Sequence, residues 1–342
     1  MNKEKINVCL VITVYSFFLY LLLNGYNKKD IFIFTDLFPK EVSKNVKHIQ
    51  IPQIYFTDGA KMAPLNSIRG IIDNIVGYSK YFYAYIKLRI LLFIKTYNKE
   101  VTVYGHAHIP LAYIFYENEN SNIIEDGLSN YTIDISETHK INPIIDKILH
   151  IFGIYFLKNT EGFGSHKNIK NVYLTKKHDH PLIKDKVKII DMKDSWKNLT
   201  ENEKNEILSI FNINQEMFNF EGKTLLILTQ PLSQENHMTL EKELNIYREM
   251  ISKFKDHQII IKPHPRDDKN YEKIFPNAII IEKTFPIEIL TVIGVKPTVV
   301  GSIISNSLLN FEESEKYIYE GNLENERLNN LRDDLIRLIN NK

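Results

Sequence analysis

Several short stretches carry side chains whose types and spacing suit group-transfer chemistry. In IIKPHPRDD (residues 260–268), His264 stands between Pro263 and Pro265 at the end of an aliphatic run. Proline removes a backbone donor and restricts its neighbour, so the run cannot continue as a central strand. The imidazole is therefore offered from a stiff rim, with Lys262 and Arg266 adding positive charge. A proton-donating or cationic histidine there suits a phosphate or another anionic leaving group. The plainer alternative is a strand-end turn whose histidine caps a neighbour. In VVGSIISNSLLNF, Gly301, Ser302, Ser305 and Ser307 lie where a strand gives way to a helix. Small hydroxyls and unpaired amides make an anion cradle there without a glycine-rich phosphate loop, although a row of N-cap serines has the same sequence. Glu288, in TFPIEIL, can accept ribose hydroxyls or simply suit a helix N-terminus.

Further upstream, NIIEDG ends a short apolar run with Glu125, Asp126 and Gly127. Adjacent carboxylates on extended backbone point in different directions, so one can act as general base while the other does not. An ordinary Asp-Gly turn with an acidic flank reads the same way. YGHAH offers His106 and His108 two residues apart, but no third ligand stands at a persuasive spacing, so no metal is expected. Thr13, Val14, Tyr15 and Ser16 occupy the first strand-to-helix turn. The glycine fingerprint of a dinucleotide site is absent from that turn, which is free to contact an acceptor.

The elements that must position these residues read as alternating strands and helices. INVCLVIT is a buried strand and YSFFLYLLLNG a core helix ending near Gly25; a membrane anchor is the competing reading of the same hydropathy. DIFIFTD, VKHIQIP, IYFTDG, VTVYGHAH, SNIIEDG, NVYLTK and KVKIIDM suggest further strand material, and residues 68–97 and NPIIDKILHIFGIYFL read as helical. Thr200 and Glu203 form a capping box in a polar helical segment spanning 193–220. Beyond it, KTLLILTQ, HQIIIKPHP, AIIIEKT and PTVVGS read as strands. They are separated by the amphipathic helix TLEKELNIYREMISKF and the short helix PIEILTVI, and NERLNNLRDDLIRLI closes the chain as a helix. Such alternation predicts two α/β doubly wound units with mostly parallel sheets and a cleft, ligands binding outside the carboxyl ends of the strands. The expected boundaries are 1–195 for the first domain, 196–220 for a linker and helix, 221–325 for the second domain and 326–342 for a final helix. In YSKYFYAYIKLRILLFIK, tyrosines and lysines beside aliphatics make a candidate membrane-facing surface; a core helix is the favoured reading unless that face is exposed.

Composition narrows the class. A chain of 342 residues, 44% apolar, supports about two domains. Its 43 basic and 42 acidic residues leave a net charge of +1, which gives no argument for nucleic acid. The single cysteine, Cys9, excludes an internal disulfide framework and fits a reducing compartment.

Taken in order, EDG, KPHPR, FPIEIL and VGSIISNS resemble the motifs of bacterial sialyltransferases, in particular the lipooligosaccharide sialyltransferases of glycosyltransferase family 52, over roughly residues 100–310. The resemblance implies a GT-B fold of two Rossmann-like domains facing a cleft. The first would serve the acceptor and the second the nucleotide sugar. It implies inverting, metal-independent transfer from CMP-sialic acid to a hydroxyl of a galactose-terminated surface glycan. Asp126 would deprotonate the acceptor and His264 would assist the departing CMP phosphate. Glu288 would hold the ribose, and Ser305, with Ser302 or Ser307, would bind the phosphate, supported by Lys262, Gly301 and Pro265. Glu125, Gly127, Thr13, Tyr15, Ser16 and His106 would line the acceptor side. Asn306 stands where related enzymes often carry a second serine. The family also implies a homodimer and work at the cytoplasmic, inner face of a bacterial membrane. Two alternatives are another nucleotide-sugar transferase of the same fold and a non-catalytic polysaccharide assembly or binding protein. The binding protein would tolerate loss of Asp126.

Overall fold

A computed structural model describes residues 3–36, 38–51, 68–109, 111–127, 129–132, 161–220 and 222–340; for 68–81, 129, 132 and 161 only the course of the backbone is described. The expected strand IYFTDG and helix NPIIDKILHIFGIYFL lie outside those residues. The chain forms two compact units, 1–212 and 213–342.

The first unit is built on a parallel sheet of β1 (Lys5–Val11), β2 (Ile31–Thr35), β3 (His48–Ile51), β4 (Glu100–Gly105), β5 (Ser121–Ile124), β6 (Ile169–Leu174) and β7 (Val187–Ile189), in the order β3-β2-β1-β4-β5-β6-β7. The apolar N-terminus resolves into β1 and a helix, Val14–Asn24, whose Phe17, Phe18, Leu19 and Leu21 are fully buried. Thr13 caps that helix by accepting the Ser16 N–H, and Gly25 ends it at φ 68°. No helix among the described residues is long and apolar enough to cross a membrane. The capping box at Thr200 and Glu203 forms as the sequence suggests. The helix it opens, Glu201–Ile210, belongs to the first unit, because Phe211 packs on Phe17 and Phe18 and the Asn45 amide donates to the Ile210 carbonyl. The segment expected as a linker is thus divided, with residues through Asn212 anchored in the first unit.

The second unit has a parallel sheet of β8 (Thr224–Leu228), β9 (Gln258–Lys262), β10 (Ile279–Ile280), β11 (Val299–Ser302) and β12 (Glu315–Ile318), ordered β10-β9-β8-β11-β12. β10 is shorter than its aliphatic run suggests, and β12 is an edge strand that the sequence reading passed over. The helices Leu240–Lys253 and Glu326–Asn340 cover this sheet with Ile246, Tyr247, Met250 and Leu328.

Each sheet reverses its winding once, between β1 and β4 in the first and between β8 and β11 in the second. Ligand sites of open parallel sheets form beyond the carboxyl ends of strands at such a switch point. The motifs singled out from sequence lie at or beyond the ends of β1, β4 and β5 in one unit, and of β9, β10 and β11 in the other.

Candidate functional site

In the first unit, the two carboxylates after β5 divide as extended backbone requires. Glu125 turns inward and is 4% exposed. Its Oε1 accepts the Tyr15 hydroxyl at 3.0 Å, and Oε2 accepts the Tyr131 hydroxyl at 2.7 Å, the Thr175 N–H at 2.6 Å and the Thr175 hydroxyl at 2.8 Å. With its oxygens so engaged, Glu125, expected on the acceptor side, ties three segments together. Sequence reasoning missed Tyr131 and Thr175, which no spacing connects to Glu125.

Asp126 takes the other direction. Its Oδ1 lies 3.6 Å from His106 Nε2 and its Oδ2 lies 3.2 Å from His108 Nε2. Its own N–H donates to Asn130 Oδ1 at 2.6 Å. Gly127 follows at φ 83° with open space where a Cβ would stand, so it turns the chain away without crowding the carboxylate. Burial raises the Asp126 carboxyl, but the two histidines and the Thr13 hydroxyl outweigh it and hold the group below the ordinary carboxylate range.

His106, expected on the acceptor side, is fully buried. Gly105 places it there: φ is 131°, and a Cβ would stand 1.8 Å from the Leu10 carbonyl oxygen, so only glycine lets β4 pass so close to β1. The Ile12 N–H lies 3.4 Å from His106 Nδ1, which puts the ring proton on Nε2. Nε2 donates to Ser16 Oγ at 2.8 Å, and Ser16 passes its own proton to the Glu125 carbonyl at 2.7 Å. Ser16, also expected on the acceptor side, is likewise fully buried. Burial pushes the His106 imidazole down to about 4. Thr13 and Tyr15 remain half-buried at the rim.

Two imidazole nitrogens and a carboxylate oxygen within 4.8 Å of one another have the composition of a cation site, and Asp126 is the third group that sequence spacing did not reveal. The hydrogen bonds of His106 differ from those usual for a ligating imidazole. A metal-ligating histidine donates its far ring N–H to an acceptor, whereas Nδ1 of His106 faces a donor.

In the second unit, Lys262 and Ser302 end β9 and β11 on either side of Leu228. Lys262 is buried, its amine donating to the carbonyls of Pro263 (3.2 Å) and Lys283 (3.1 Å) and lying 4.9 Å from the Phe285 ring centroid. Burial pushes that amine down to about 7. It therefore underlies the rim without projecting from it. His264 follows, half-buried, with Nδ1 accepting the Arg266 N–H at 3.2 Å. That bond leaves the ring proton on Nε2. Burial, then the charges of Arg266 and Lys262, push the imidazole down to about 4, so it presents a neutral N–H donor. Pro265 and Arg266 are exposed, and Arg266 pairs with Glu235 at 2.7 Å.

Ser302 is fully buried; its hydroxyl donates to the Leu228 carbonyl at 3.1 Å and accepts the Ser305 N–H at 2.9 Å. It shapes the turn. Ser305 heads the short 3-10 helix Asn306–Asn310 without a side-chain capping bond, which leaves the N-cap explanation without its hydrogen bond. Gly301 lies within β11, where a Cβ would meet Met250 Cε at 3.0 Å; its smallness serves packing against a helix. Glu288 opens the helix Glu288–Val292, and its Oε1 accepts the Asn310 amide at 3.0 Å.

The family model of glycosyltransferase family 52 matches residues 75–323. The chain belongs to glycosyltransferase family 52. An uncharacterized protein of Haemophilus influenzae is 31% identical over 223 residues, which cover 65% of this chain and 69% of that protein. Among solved structures, a 2,6-sialyltransferase of Photobacterium sp. JT-ISH-224, in a ternary complex with the donor product CMP and the acceptor substrate lactose, superposes with a TM-score of 0.60 at 14% identity. That match covers 98% of this chain and 76% of the other. An α/β-galactoside α-2,3-sialyltransferase of Photobacterium phosphoreum matches with a TM-score of 0.54 at 13% identity, covering 97% and 96% of the two chains. At such identities the likeness is one of fold, and the fold of this family 52 glycosyltransferase is GT-B.

Proposed function

We propose that this enzyme transfers sialic acid from CMP-sialic acid to a hydroxyl of a galactose-terminated surface glycan, with inversion and without a required metal. The observation that carries the reading is Asp126, buried after β5 beside His106 and His108, with its carboxyl held below the ordinary carboxylate range. A carboxylate so placed takes the proton of the attacking hydroxyl. As the bond from the sialyl anomeric carbon to the phosphate oxygen breaks, its electron pair leaves with CMP. His264, through Nε2–H, meets the charge that grows on that oxygen. Ser305 and Ser307 supply hydroxyls to the same phosphate, and Glu288, steadied by Asn310, accepts from the ribose. One phosphate with such donors needs no divalent counter-ion. The donor carbon is tertiary and carries a carboxylate, so an oxocarbenium-like transition state makes leaving-group stabilisation the larger share of the work. A neighbour of the same fold that holds CMP and lactose supports this choice of donor and acceptor.

The helix Ile68–Thr96 and the residue after it supply a further part of the reading. Tyr85, Leu88 and Leu92 are buried, while Tyr83, Ile90, Phe93, Ile94 and Tyr97 are 54–71% exposed. At 100° per residue the exposed apolar side chains span an arc of roughly 100°, with Arg89 flanking one side and Lys87 the other. The stretch 82–97 contains no acidic residue. This arrangement suits the surface of an anionic bilayer, where the glycolipid acceptor would reside. Co-sedimentation with phosphatidylserine vesicles should fall with Phe93→Ser and Ile94→Ser together; a monomer–dimer shift in the same variant instead would assign the face to a second copy of the chain.

The donor is tested by thermal shift and by nucleotide release with CMP-sialic acid beside UDP-linked sugars, in EDTA. CMP release with a galactose-terminated acceptor supports the proposal. Turnover of a UDP-sugar alone would keep the fold and replace the donor, and binding without turnover would make this a non-catalytic protein.

A further inference from the structure

We propose that Thr229 and Asp267 are positioning residues that hold the His264 peptide and so aim its Nε2–H, an inference that rests on the leaving-group role given to His264. Thr229 directly follows β8 and is 2% exposed. Its hydroxyl accepts the His264 N–H at 3.1 Å and donates its own proton to Asp267 Oδ2 at 2.9 Å. The Thr229 N–H is fixed in turn on the Lys262 carbonyl at 3.2 Å.

Asp267 is 1% exposed and grips the turn at both ends. Its N–H donates to the His264 carbonyl at 2.9 Å, while its carboxylate holds the His264 amide through Thr229. The same carboxylate receives the Tyr271 hydroxyl at 2.7 Å, the Lys269 N–H at 3.1 Å and the Lys269 amine at 3.0 Å. Lys269 is shared with Glu243 at 3.0 Å, and both acidic side chains are fully buried. Burying two carboxylates and an ammonium is costly unless each is paired and hydrogen-bonded. A hydrophobic cluster would hold a surface turn at lower cost. What the ionic cluster adds is direction: bonds from Tyr271 and Lys269 converge on Asp267, and from it the chain runs through Thr229 to the backbone of His264. This also accounts for the aspartate that follows HPR in the sequence, which no strand core requires.

The test compares Thr229→Val, which keeps shape and removes the hydroxyl, with Thr229→Ser, which restores it, each on the wild-type and His264→Ala backgrounds. A displacement near 1 Å at a reacting group costs on the order of 100-fold. Thr229→Val should therefore lower kcat by roughly 10- to 100-fold with KM for CMP-sialic acid changed less than about 3-fold, and Thr229→Ser should recover most of the loss. On the His264→Ala background, Thr229→Val should cost less than about 3-fold more, because the group it aims is gone. Equal losses on both backgrounds, or wild-type kcat in Thr229→Val, would overturn the inference. Should Thr229→Val not fold, Tyr271→Phe, which removes one donor to Asp267, is put through the same cycle with the same two outcomes. If His264→Ala itself matches wild type, the leaving-group role fails; if it is impaired while Thr229→Val is not, only the positioning inference fails.

Discussion

Replacing Glu125 with glutamine removes one charge from a pocket in which the carboxylate accepts from Tyr15, Tyr131 and Thr175. Hydrogen bonds to a charged acceptor contribute about 1.5–3 kcal/mol, and neutral ones about 0.5–1.5. An amide oxygen in the Oε2 position keeps the bonds from Tyr131 and from both donors of Thr175, each weaker by about 1 kcal/mol. The amide NH2 then faces Tyr15, whose hydroxyl can turn to Thr175 Oγ1, 3.4 Å away. Burying a neutral group in place of a charged one returns part of the loss, so the net cost is about 2–3 kcal/mol. For a unit of about 200 residues this lowers Tm by roughly 5–10 °C. Asp126→Asn should behave in the opposite way, with Tm little changed and turnover down by about 100- to 10,000-fold, the usual contribution of a general base. Thermal denaturation and initial rates on the same two preparations decide the matter. An active-site loss in Glu125→Gln at unchanged Tm would refute the division of labour between these neighbours.

Further expectations concern pH, metal and backbone. His106 titrates near 4 in the folded protein against 6.5 unfolded, so the unfolded chain binds more protons between those values. Stability is therefore full above about pH 6.5 and falls as the pH drops toward 4, by about 3 kcal/mol from this buried group alone; a urea midpoint that stays flat over this range would contradict the assignment. Because His264 is neutral when free, binding of the CMP dianion should raise its pKa; an NMR titration of the imidazole that shows no rise on adding CMP would contradict the contact. Turnover should be unchanged in excess EDTA, whereas a loss restored by a divalent cation would reassign the His106, His108 and Asp126 trio as ligands. Gly105→Ala should cost more than about 3 kcal/mol or prevent folding, because its Cβ would collide with the Leu10 carbonyl oxygen; wild-type unfolding in that variant would show that β4 can back away from β1.

What could be read in advance followed local chemistry. Aliphatic runs ending in polar turns located the parallel strands, Thr200 with Glu203 marked a helix start, and the two prolines around His264 marked a strand exit. β12 escaped because EKYI is a half-exposed edge strand without an aliphatic run. The burial of Glu125, His106 and Ser16 was not legible for a different reason. Residue type gives a side chain its chemistry, but the register between β4 and β5 decides which carboxylate turns inward and which imidazole meets it. The same holds for Ser302 and Gly301, whose roles come from Leu228 and Met250. Thr229 and Asp267 lie 38 residues apart, and only the pairing of β8 with β9 brings them together.

The most direct test of the account is acceptor-dependent CMP release from CMP-sialic acid by wild type, Asp126→Asn and His264→Ala, with folding verified for each. Wild type should release CMP only with a galactose-terminated acceptor, with near-complete loss in Asp126→Asn and a strong reduction in His264→Ala. Release that survives in Asp126→Asn at the wild-type rate would contradict it.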